Sequence, residues 1–173
     1  MEATVKNYPK LFKELKAKVK SLLKKYKIKI VRKKFRTNVG QAFCDERKIK
    51  VPIIKDIESI YVILHEIGHV VMGHGEESTK PIYLEELEAE LFALNILRKW
   101  NIHKLFPKDY NQIKWDAQRY VRWNILFAIQ RSLYDTEIPV LKVKHIHVNA
   151  LRFSKIKIHK PKLNVITRNK KKL

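Results

Sequence analysis

The stretch VILHEIGHVVMGH, residues 62–74, sets two histidines four positions apart inside an apolar run, with a glutamate beside the first. On an α-helix, positions i and i+4 lie one turn apart on the same face. His65 and His69 can therefore aim imidazole nitrogens at one metal ion, and neutral imidazole is a good zinc ligand. Glu66, the next residue along, is turned too far to ligate beside both histidines. It can instead reach a water at the metal, whose pKa zinc lowers to about 7. There it can accept the water's proton as the oxygen attacks a carbonyl, and pass that proton to a leaving amine. This is the chemistry of the H-E-x-x-H arrangement. The competing reading is a helix whose histidines merely pack or face solvent. Against it, Ile60, Ile63, Leu64, Ile67, Val70 and Val71 surround the motif, and Gly68 removes bulk where another backbone can approach.

Two protein ligands are too few, because a catalytic zinc takes three plus a water. A histidine six residues beyond His69 is absent, since that position is Gly75. His74 is five beyond His69 and faces away on a continuing helix. His103, His145, His147 and His159 belong to other segments and stay open as third ligands at this point. The next helical segment, LEELEAELFAL, carries Glu85, Glu86, Glu88 and Glu90. Leu84, Leu87, Leu91 and Leu94 form its main apolar stripe. Glu86, Ala89, Glu90, Ala93 and Leu97 form an adjacent stripe whose small residues let a second helix come close. Glu86 is the expected third ligand, and Glu90, one turn on, is expected to hydrogen-bond a ligating histidine. Glu88 is the alternative ligand and Glu85 the least favoured. Acids near a helix N-terminus are also explained by the helix dipole alone.

The elements that must position these groups are legible from periodicity. Leu11, Leu15, Val19, Leu22 and Tyr26 form one stripe of a basic helix over 8–26. Residues 27–52 read as short strands, with GQAFCDERKIKVP as a hairpin around Asp45-Glu46-Arg47 and Pro52 at its end. A helix over 56–72 starts on Asp56 as N-cap and stops near Gly73 or Gly75. A second helix covers 82–100 and a third 109–133. VLKVKHIHV alternates like one strand. These elements predict an α+β fold: a small antiparallel or mixed sheet packed on the HExxH helix, with two or three further helices, in one domain over 1–139. Residues 140–173 read as a basic extension, disordered from about Asn164.

Charge divides the same way. Residues 1–36 carry 14 Lys/Arg and 2 acids, a net +12, and residues 140–173 carry 11 Lys/Arg and no acid. The middle is close to neutral, and the whole chain is +21. Basic ends suit a polyanionic partner, nucleic acid or an acidic protein surface, although a lysine-rich solvated surface has the same composition. No apolar run approaches twenty residues and the N-terminus lacks a signal-peptide core, so an intracellular, cytoplasmic protein without membrane contact is expected. Cys44 is the single cysteine, which excludes an internal disulfide and a multi-cysteine zinc cluster. It reads as a buried free thiol rather than a zinc-blocking switch. Trp115, Tyr120 and Trp123 interleave with Arg119 and Arg122. Helical spacing makes them core residues first, and a stacking surface for bases second.

HEIGH, a short loop, and then E-x-x-A-E-x-F-A from Glu86 to Ala93 resemble the compact gluzincin zinc metallopeptidases. The likeness is greatest to the ImmA/IrrE-like group, with some to SprT-like proteases. It covers about residues 37–100. It implies a small twisted sheet on the HExxH helix and zinc held by His65, His69 and Glu86. It also implies Glu66 as general base, Glu90 as the supporting polar residue, and the hairpin as an edge that aligns an extended peptide substrate. Glu90 stands where Asn or Asp is more usual, and no helix-turn-helix precedes the sheet. A nearby His or Tyr would steady the oxyanion, with Tyr120 as the candidate.

Overall fold

The helix that carries the motif is built at both ends by its own sequence. In the computed structural model α2 runs Ile57–Met72, and Asp56 caps it. The Asp56 carboxylate accepts the Ser59 amide at 2.7 Å, while the Ser59 hydroxyl accepts the Asp56 amide at 3.1 Å. This reciprocal pair satisfies two of the donors that a helix start leaves open. Gly73 ends α2 in the left-handed region, φ 74°, which its missing Cβ permits. Between these ends Ile57, Ile60, Ile63, Leu64, Ile67 and Val70 are buried. Each such side chain contributes about 1.5–3 kcal/mol of burial free energy.

The structure describes residues 4–31, 39–134 and 148–155. They form a small α+β fold. Helix α1 (Pro9–Lys25) opens with proline, whose absent N–H has no partner to lose there, and buries Phe12, Leu15 and Val19. Three short strands follow: β1 (Lys29–Ile30), β2 (Gln41–Phe43) and β3 (Lys48–Lys50). Their order is β1-β3-β2, with β1 parallel and β2 antiparallel to β3, so the sheet is mixed. Ile49 on β3 is fully buried and stands opposite Ala42 of β2. The turn Asp45-Glu46-Arg47 joins β2 to β3 as expected, with Arg47 at φ 50°. The sheet lies on α2, and α1, α3 (Ile82–Lys99) and α5 (Pro107–Tyr134) pack on α2 from other sides.

Helix α3 (Ile82–Lys99) is the principal neighbour of α2. The small-residue stripe meets α2 as expected, with Ala89, Glu90, Ala93 and Leu97 buried; of the leucine stripe Leu87 and Leu94 are buried too, whereas Leu91 is 38% exposed. Gly68 supplies the reason. A Cβ built there would lie 3.0 Å from Ala89 Cα and 3.1 Å from its carbonyl oxygen. The two backbones approach where neither helix has bulk, and this draws the small-residue stripe of α3 inward. Replacement of Gly68 by Val is expected to push the helices apart and destabilise the protein by about 1–3 kcal/mol, read as a lower midpoint of urea unfolding.

Helix α5 (Pro107–Tyr134) begins two residues before the expected start, and α4 (Ile102–Leu105) is a single turn that periodicity did not reveal. Within the basic extension, α6 (Val148–Ser154) packs on α3 and α5 with Ala150 fully buried. The rest of the expected strand at 140–148, residues 32–38 of the sheet region and the tail from Asn164 lie outside the described residues. Trp115, Tyr120 and Trp123 of α5 are not core residues: all three are exposed, Trp123 by 57%. Among the described residues no helix is long and apolar enough to cross a membrane.

Candidate metal centre

His65 and His69 lie on the α2 face that meets α3, with their Nε2 atoms 3.0 Å apart. Glu86 reaches them from the first turns of α3, its Oε2 3.3 Å from His65 Nε2 and 3.5 Å from His69 Nε2. Among the described residues these three form the one group whose donor atoms converge closely enough to share a metal. Ligands about 2.0–2.1 Å from a tetrahedral zinc stand about 3.3 Å from one another. The observed triangle of 3.0, 3.3 and 3.5 Å has that size.

Two further features of the donor set fit a cation. Glu86 Oε2 is buried without a hydrogen-bond partner, a costly condition for a carboxylate oxygen. The two facing Nε2 atoms cannot both present lone pairs at 3.0 Å unless a positive centre, a proton or a metal, lies between them. The surrounding charge points the same way. Burial acts to lower the His65 pKa, but Glu86 and Glu90 outweigh it and push His65 up to about 10. Burial acts to raise Glu86, yet the two imidazoles facing it at 3.3 and 3.5 Å hold it down to about 2. The cluster draws positive charge inward.

Glu90 is almost fully buried. Its Oε1 lies 3.4 Å from His65 Nδ1, long for a hydrogen bond, and that nitrogen has no other partner. Its Oε2 accepts the Tyr61 hydroxyl at 2.5 Å. Burial first, and then the charge of Glu90, keep the Tyr61 phenol protonated far above its ordinary range. Tyr61, on α2 one turn before His65, was missed in the sequence. An i−4 aromatic on the motif face was the signal available.

Glu66 lies on the side of α2 that meets the segment before β2. It is buried, and desolvation raises its pKa against the pull of His65 and His69. Gly40, just before β2, lies directly against it. A Cβ on Gly40 would stand 2.4 Å from Glu66 Oε1, so only glycine leaves the carboxylate its place. Among the described residues β2 pairs only with β3, which leaves its other edge beside Glu66. Ala42, Phe43 and Cys44 of this hairpin line a cleft of about 630 Å³ with His74 and the loop Gly75–Glu77. Cys44 is half-buried, and desolvation followed by the charge of Asp45 raises its thiol to about 11.

Of the other residues singled out in the sequence, Glu85 is outside the cluster, and His103 packs its ring 5.8 Å from Tyr110. His145, His147 and His159 lie outside the described residues. Tyr120 is on α5. Its phenol is raised by burial and then by the charge of Glu86, with Glu90 and Glu66 contributing, so it lies in the field of the site. Glu88 is not at the triangle but accepts from His74 at 2.8 Å and from Lys80 at 2.6 Å. His74 does not face away: its Nδ1 is 2.9 Å from His69 Nδ1. No protein-family model, curated protein or solved structure matches the chain.

Proposed function

We propose that the protein is a zinc-dependent peptidase in which His65, His69 and Glu86 hold the metal and Glu66 is the general base. The observation that carries this reading is the convergence of two imidazole nitrogens and one orphaned carboxylate oxygen, next to a second buried carboxylate. Bound zinc supplies Lewis acidity, which makes water a nucleophile near neutral pH and polarises a carbonyl. Glu66 takes one proton from the attacking water as the C–O bond forms, and returns it to the amine nitrogen as the C–N bond breaks. Burial raises its pKa, which makes it a stronger base than a solvated glutamate. Gly40 leaves the carboxylate the room it occupies. Tyr120 donates its phenolic hydrogen to the developing oxyanion. An extended peptide adds to the open edge of β2, which brings its backbone past Glu66. Incubation of zinc-loaded protein with unfolded polypeptides tests the reading. Cleavage that a chelator stops and added zinc restores is expected; intact substrates under zinc-loaded conditions overturn it.

A second reading, which does not exclude the first, is binding of single-stranded nucleic acid. It is favoured by the exposed face of α5, where Arg119 lies 4.5 Å over the Trp115 ring and Trp123 stacks on Phe127 at 5.4 Å. Aromatic platforms with arginines hold bases and phosphates without sequence preference, and the chain's net charge of +21 complements a polyanion. Oligothymidylate is expected to quench tryptophan fluorescence at low salt. Its affinity should fall linearly in a plot of log K against log salt, and Trp123→Ala should weaken it by about 1–3 kcal/mol. No quenching at low salt contradicts this reading.

A further inference from the structure

The helix end decides where His74 goes. Had α2 continued, His74 would sit on the far side from His69. Instead Gly73 turns into the left-handed region, and the His74 amide donates to the His69 carbonyl at 3.1 Å. The chain reverses, and the His74 side chain, only 1% exposed, is laid against the back of the His69 ring.

Four side chains then form a line. Lys80 Nζ donates to Glu88 Oε2 at 2.6 Å, and the same oxygen lies 2.8 Å from His74 Nε2. His74 Nδ1 lies 2.9 Å from His69 Nδ1. The proton positions follow from what each group can do. An ionised carboxylate only accepts, so His74 Nε2 carries the hydrogen toward Glu88. A neutral His74 then has its lone pair on Nδ1, and can only accept there. His69 Nδ1 must be the donor, which leaves the lone pair of His69 on Nε2, the atom that faces His65 and Glu86.

We propose that His74 is a positioning residue that fixes the tautomer and ring orientation of His69 for metal binding, and that Glu88, anchored by Lys80, fixes His74 in turn. The proposal rests on His69 being a metal ligand, as in the function proposed above. It makes α3 the source of both supports. Glu90 stands behind His65 directly, whereas Glu88 stands behind His69 through the interposed imidazole. Supporting contacts of this kind are commonly worth 10–100-fold in metal affinity.

Zinc affinity is measured by competition with a chromophoric chelator at fixed pH, for the full chain and four variants, one of them the double variant His74→Leu with Glu88→Gln. His74→Leu removes the acceptor behind His69 and is expected to bind zinc about 10–100-fold more weakly. It should also alter the visible absorption of the cobalt(II)-substituted protein. His74→Asn keeps an acceptor oxygen near the position of Nδ1 and is expected to recover most of the affinity. Glu88→Gln should weaken binding in the original chain but add little to His74→Leu, because both act along one line. Thermal unfolding of the metal-free variants identifies any purely structural loss. Unchanged affinity and cobalt spectrum in His74→Leu overturns the proposal. So does an equal loss in the Leu and Asn variants, or full additivity with Glu88→Gln. Should the unmodified chain itself bind no zinc, the metal reading falls and takes this one with it, an outcome recognised from that sample alone.

Discussion

Glu66→Gln is expected to leave zinc binding intact and to lower peptide hydrolysis by about 10²–10⁴-fold, the range for removal of a general base. The substitution keeps the volume of the side chain, so Gly40 still has room and the strand side of α2 does not shift. It leaves His65, His69 and Glu86 untouched. What it removes is an oxygen able to take a proton, because an amide is not a base at neutral pH. It also removes a buried carboxylate whose ionisation burial disfavours, so the variant should be as stable as the original chain or more so. Initial rates on a quenched fluorescent peptide, with zinc measured in the same samples, separate the two effects. Equal rates would show that Glu66 has no part in proton transfer.

The second large effect is expected at Glu86. Glu86→Gln replaces the one carboxylate among the described residues that meets both imidazoles, and the zinc affinity should fall by more than about a hundredfold, beyond the usual loss of a supporting contact. Glu85→Gln, one residue away but outside the cluster, should bind zinc as the original chain does. This pair of variants decides between ligation and a general effect of negative charge at the start of α3. Equal losses in both would favour the helix dipole as the explanation for these acids. Titration with zinc against a competing chelator reads both.

The helix that bears the motif was legible because its signals agree. Asp56 starts it, an apolar run fills it, and Gly73 ends it. Glu86 was legible because small residues on its stripe of α3 marked the side that α2 could approach, and Gly68 against Ala89 is that approach. Leu91 has the hydrophobicity of a core residue, but a close helix pair favours alanines at the contact and turns this leucine outward. His74 was lost for a different reason. Helical spacing describes a residue only while the helix lasts, and one left-handed residue brings the next side chain back over the last turn. Periodicity was also silent on which side of α5 is covered. Its aromatic stripe has helical spacing whether it meets a core or the solvent. Short elements such as α4 and α6 offer too few residues for any period to register.

Metal content bears most directly on the central claim. Protein dialysed against excess zinc, then freed of loosely held ions, is analysed by plasma mass spectrometry beside the Glu86→Gln and His69→Ala variants. The account predicts about one zinc per original chain and little in either variant. A folded chain that retains no zinc, or variants that retain as much as the original, would contradict it.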